Sequence, residues 1–121
     1  MNQAFRSMQP EFHKLLLDIH LALLEIQEFT AGMHLTSYRA DSKCRAAVER
    51  KFEIIGEACS RIRNDFPEEF EKVRNGHQII GFRNRLIHGY DSVDDAIVWD
   101  VLQTKLPDLL KDVEELLSIG R

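Results

Sequence analysis

The sequence predicts an all-α fold, an antiparallel helical bundle of about four to five helices. Two observations predict it. Apolar residues recur at steps of three and four over long stretches, the spacing that lines one face of a helix. Nowhere do they alternate with the period of two that a half-buried strand requires. With 121 residues, 44% of them hydrophobic, the chain suits one domain with a modest core, spanning 1–121 and centred on about 11–117.

The first helix is expected from about Glu11 to Ala31, carried by Phe12, Leu15, Leu16, Ile19, Leu23, Ile26 and Phe29. Gly32 stops it, because glycine takes the left-handed conformation that ends helices without steric cost. Met33 to Ala40 reads as a connector or an irregular turn. The cleanest periodicity follows, Cys44, Val48, Phe52, Ile55, Cys59, Ile62 and Phe66, and predicts one long helix. Asp41 is its cap, its carboxylate placed to accept the free amides of the first turn. Pro67 ends it, since a residue before proline is pushed out of helical geometry.

Glu68 to Arg74 then reads as a short helix or turn, and Asn75-Gly76 as a break. A further helix is expected over His77 to His88, with Ile79, Ile80, Phe82, Leu86 and Ile87 apolar and Gly89 closing it. Ser92 is expected to cap the last helix, with Asp95 three residues on in a capping-box arrangement. Its apolar stripe runs from Ala96 and Trp99 to Leu116 and Leu117, and Pro107 must kink it or split it.

Charge and composition narrow the function. No apolar run approaches the ~20 residues of a membrane span, and Met1 to Pro10 lacks the layout of a secretory signal, so the expected location is cytoplasmic. Cys44 and Cys59 fall roughly 22 Å apart on one helix and cannot bridge, which suits small buried hydrophobes in a reducing compartment. No close Cys or His spacing suggests a metal, and no cofactor is expected. A net charge of -4 argues against bulk coating of nucleic acid. Yet the stretch from Lys72 to Tyr90 carries Lys72, Arg74, Arg83 and Arg85 with no acid, leaving 12 of the 16 Lys and Arg against 20 Asp and Glu elsewhere. A polyanion would be steered to that island.

The island holds Arg83, His88 and Tyr90 in the pattern Arg-x4-His-x-Tyr. Histidine titrates near neutrality and can move a proton in cleavage of RNA by its own 2′-hydroxyl, while arginine offers a planar fork to phosphate oxygens. Arg83 and His88, five residues apart, point about 140° away from each other on one helix, whereas Asn84 and His88 share a face. Two copies of the helix meeting about a two-fold axis could line one cleft with both residues. Each residue also has a plainer reading. His88 beside Gly89 can be a C-terminal cap favouring the helix dipole, Tyr90 a packing residue, and Arg83 or Arg85 a surface charge.

The run Arg83-Asn84-Arg85-Leu86-Ile87-His88-Gly89-Tyr90 resembles the signature of HepT-like toxins, a branch of the HEPN superfamily of helical ribonucleases. The segments Leu17-Asp18-Ile19-His20, Ile26-Gln27-Glu28-Phe29-Thr30, Ile54-Ile55-Gly56-Glu57-Ala58, Ile97-Val98-Trp99-Asp100 and Leu106-Pro107 are similar to segments of that family and extend the likeness over about Leu15 to Leu117. Family members often carry a tryptophan shortly before the motif helix, where this chain has Lys72 to His77.

The resemblance implies the toxin of a type VII toxin-antitoxin pair, a metal-independent endoribonuclease acting on RNA as a homodimer, with Arg83 and His88 catalytic. It implies a partner, a minimal nucleotidyltransferase antitoxin of the MntA kind, that silences the toxin by attaching AMP to Tyr90. A bulky anion two residues from His88 would block the cleft and repel phosphates. Asn84 and Glu57 are supporting candidates, Glu57 orienting Arg83 or His88 from the long helix or serving as a plain surface acid. Two other readings stay open: a non-catalytic module that docks the nucleotidyltransferase or binds nucleotide, and a helical dimerisation protein whose basic island pairs with Asp91, Asp94 and Asp95.

Overall fold

A computed structural model describes residues 9–88 and 94–119. Among these the chain forms seven helices and no strand: α1 (Pro10–Thr30), α2 (Leu35–Ala40), α3 (Ser42–Asp65), α4 (Pro67–Phe70), α5 (Gly76–His88), α6 (Asp95–Thr104) and α7 (Leu106–Ile119). Five are ten residues or longer, which matches the expected bundle; α2 and α4 are short additions.

The two longest helices form the spine. Glu25 pairs with Lys51 at 2.9 Å and Glu11 with Arg61 at 2.8 Å, so α1 and α3 run in opposite directions. α7 packs against α1 and α5 against α3. Leu16, Ile19, Leu23 and Ile26 of α1 meet Phe52, Ile55 and Ile62 of α3 and Leu109 and Val113 of α7 in the core, all at most 2% exposed. Burying such side chains stabilises the fold by about 1.5–3 kcal/mol each before chain entropy is counted. Cys44 and Cys59 are both buried and free, and burial pushes the Cys59 thiol up to about 12.

The punctuation works largely as the residues dictate. Gly32 has φ +75° and ends α1, and the Asp41 carboxylate accepts the Cys44 amide at 2.9 Å at the head of α3. Pro67 closes α3 and opens α4. Pro107 divides the last helical stretch in two, with Lys105 between α6 and α7.

Three expectations need correction. Met33 to Ala40 is more than a connector: Leu35–Ala40 is a helix, opened by the Ser37 hydroxyl accepting the His34 amide at 2.9 Å. It is pinned by Tyr38, fully buried and packed against Trp99 at a tilt of 39°, with ring centroids 5.3 Å apart. The helix expected to start after Ser92 starts at Asp95, where the Asp94 carboxylate accepts the Ala96 amide at 2.8 Å; Ser92 itself lies outside the described residues. The Asn75-Gly76 break narrows to Asn75, which has φ +64°, while Gly76 already opens α5. A Cβ on Gly76 would sit 2.7 Å from the Phe70 ring, so glycine is what lets α4 lie against the start of α5.

A candidate active groove on the long helix

The motif helix α5 is held by its apolar side. Ile79, Ile80 and Phe82 are buried, and the Phe82 ring meets Phe52 of α3 edge-on at 5.0 Å. Beside that contact the two helices come unusually close. A Cβ on Gly56 would lie 2.3 Å from the Cβ of Arg83 and 2.4 Å from its Cγ, so the arginine stem rests directly on the bare backbone of α3. No other residue type fits there unless a helix moves.

That seat determines what Arg83 can do. Its stem is largely covered, with the side chain 24% exposed, and the guanidinium emerges between two neighbours. One terminal nitrogen donates to Glu57 at 3.1 Å and the other to Asn84 at 3.2 Å. The buried Nε has no hydrogen-bond partner among the described residues. The expected supporting residues Glu57 and Asn84 thus both touch Arg83. Neither interaction engages all of its donors.

Arg83 and Ile87, four apart, open onto a groove of about 270 Å³ whose floor is the outer face of α3 and whose far wall is α1. Arg50, Glu53, Ile54 and Arg61 of α3 and Asp18 of α1 also line it. Sequence reasoning did not single these out, because Arg50 and Arg61 are eleven residues apart and look like ordinary charges on a solvated helix face. A second cleft, about 240 Å³ between α1, α6 and α7, has no ionisable side chain in its lining.

His88 ends α5, one residue past Ile87, four past Asn84 and five past Arg83, and its side chain lies outside what the structure describes. Gly89, Tyr90 and Asp91 lie outside the described residues.

The basic island is less basic in the fold than along the chain. Arg74 is committed to Asp112 of α7: its guanidinium grips the carboxylate at 2.9–3.1 Å and its amide donates to the same group at 2.8 Å. Arg83 is paired with Glu57. The pairing of the island with Asp94 and Asp95 is not what the fold uses, since Asp94 pairs with Arg39 at 3.5 Å and Asp95 with Arg45 at 3.7 Å. Among the described residues no group of three His, Cys, Asp or Glu side chains gathers closely enough to hold a metal ion. No described helix is long and apolar enough to cross a membrane.

Residues 19–116 match the ribonuclease HepT-like family. This chain belongs to that family. It is 36% identical over 99 residues to a candidate RNase of Methanocaldococcus jannaschii, covering 82% of this chain and 90% of that protein. It is 35% identical over 99 residues to a Thermococcus cleftensis protein named probable ribonuclease HepT, covering 82% and 89%. A second candidate RNase of M. jannaschii is 32% identical over 103 residues, covering 85% and 84%. No solved structure is similar to the chain at a comparable level. The HepT-like assignment agrees with the all-helical architecture of the described residues.

Proposed function

We propose that this HepT-like chain is a metal-independent endoribonuclease and the toxin of a type VII toxin-antitoxin pair. The observation that carries the reading is Arg83, seated on Gly56 and held by Glu57 and Asn84, on the same helix as His88 in a chain of ribonuclease kinship. The substrate 2′-oxygen attacks the adjacent phosphorus, the bond to the 5′-oxygen breaks, and a 2′,3′-cyclic phosphate remains. His88 takes the 2′-hydroxyl proton or delivers one to the departing 5′-oxygen, help worth about 10²- to 10⁴-fold. Arg83 balances charge building on the nonbridging oxygens, and Glu57 and Asn84 hold it in place.

Because Arg83 and His88 diverge around α5, the active unit is a homodimer in which two copies of the helix border one cleft. Control falls to a MntA-like nucleotidyltransferase that attaches AMP to Tyr90, whose added charge excludes RNA from the cleft.

The decisive experiment incubates purified protein with RNA in EDTA and examines product ends. Cleavage to cyclic phosphate, lost in both His88→Ala and Arg83→Ala with the helical signal by circular dichroism unchanged, is the expected result. Full cleavage by His88→Ala would overturn the assignment. Incubation with the nucleotidyltransferase and ATP should add the mass of AMP to the wild type and not to Tyr90→Phe.

A further inference from the structure

We propose that the outer face of α3 is a track for single-stranded RNA, with Arg50 and Arg61 as phosphate sites on either side of Arg83. The inference rests on Arg83 marking the reacting centre, as argued above. Arg50 lies six residues before Gly56 and Arg61 five after it, so their backbone positions flank the Arg83 seat by roughly 9 Å and 7.5 Å along the helix axis, and all three side chains line the groove. Three arginines therefore stand in file along one groove, the reach needed for successive phosphates of an extended strand.

The groove is lined by residues of α1, α3 and α5, and its volume of about 270 Å³ suits one strand better than two. Half-buried Ile54 and 40%-exposed Ile87 give sugars and bases an apolar surface beside the arginines.

Acids share this surface, and they define the character of the site. Arg50 is paired with Glu53 at 3.1 Å and Arg61 with Glu11 at 2.8 Å, and Asp18 is neutralised by Lys14 at 2.8 Å. The Arg50 and Arg61 side chains are 68% and 51% exposed. Pairs so exposed hold little net energy, so a phosphate that accepts both prongs of a guanidinium fork can replace the carboxylate. The carboxylates act as place-holders: they keep the groove neutral and weakly attractive to polyanions in general, in keeping with the net charge of -4. Removing an arginine should weaken RNA binding, and removing its carboxylate should tighten it. A merely structural ion pair would not show those opposite signs.

The test uses two substrates, a single-stranded RNA of about a dozen nucleotides and a dinucleotide with one phosphodiester, on the full-length protein and on Arg50→Ala, Arg61→Ala and Glu53→Gln. Each arginine variant should raise KM for the long strand with kcat unchanged, leave the dinucleotide unaffected, and flatten the slope of log Kd against log salt by about 0.7. Glu53→Gln should lower KM for the long strand. Duplex RNA should compete poorly. Kd is also measured in the His88→Ala background, so the track is tested even if cleavage is absent and the ribonuclease reading fails. Unchanged affinity in both arginine variants, equal losses on both substrates, or a change in sedimentation with RNA affinity intact, which would make the groove a seat for a second copy, overturns the proposal.

Discussion

Arg74 and Arg83 leave the same acid-free stretch of sequence and meet opposite fates. Arg74 closes on Asp112, whose side chain is 7% exposed, and its own amide adds a further bond to that carboxylate. Arg83 meets Glu57, whose side chain is 57% exposed, through one terminal nitrogen, and keeps a buried Nε without a partner among the described residues. The first arginine ties the connection before α5 to α7. The second is rigid along its stem and under-used at its head. A charge with donors to spare on a fixed stem is what phosphate recognition requires, whereas a saturated pair is what a fold requires.

The sharpest break in that contrast is Arg83→Ala, expected to lower kcat for RNA cleavage on the order of 10²- to 10³-fold with the melting midpoint nearly unchanged. Asp112→Ala should do the reverse. It strands the Arg74 amide and guanidinium, so the melting midpoint should fall by several degrees, while kcat measured well below the transition stays close to wild type. An Asp112→Ala protein that loses activity without losing stability would erase the distinction.

Two glycines sharpen the role of the seat. Gly56→Ala places a Cβ 2.3 Å from the Cβ of Arg83, at the rigid base of the side chain, and should cost about 1–3 kcal/mol in denaturant titration together with activity. Gly81→Ala on α5 meets nothing within 4 Å and should stabilise by up to about 1 kcal/mol, the ordinary helical gain. Equal effects at both sites would mean that the close crossing is not what holds Arg83.

Smaller still is Glu57→Gln. The exposed pair contributes about 0–1 kcal/mol, so stability should barely move while kcat falls through the loosened arginine.

The smallest effect concerns Glu49, held above the usual carboxylate range by burial and then by the charge of Asp95. A raised folded-state value favours the protonated form, so its stabilising effect is present below the ordinary value near 4.5 and lost as pH rises. Glu49→Gln should therefore melt higher than wild type at pH 7, with the gap closing below pH 4.5.

Most of the architecture was legible because it rests on local rules. The run from Cys44 to Phe66 is one helix because each apolar residue returns to the same face, and Asp41, Gly32, Pro67 and Pro107 act on the backbone within a residue or two of themselves. Helix α2 was not legible. Six residues carry too little periodicity, and its reason for existing, the packing of Tyr38 against Trp99, comes from a residue 61 positions away. The Asp94 cap escaped for the opposite reason, since Ser92 is an equally good capping type and local chemistry could not choose between them.

The candidate site divides along the same line. Residue type and spacing mark Arg83, Asn84 and His88 as a group and raise Glu57 as a possible support, because chemistry and helical register are properties of a short stretch of chain. Which arginine is saturated and which is only partly engaged, why residue 56 must be bare, and which charges of α3 line the groove beside Arg83 depend on how α3, α5 and α7 cross. Those crossings are set by the packing of the whole core, so they bring together residues that lie 26 to 38 positions apart and share no local pattern.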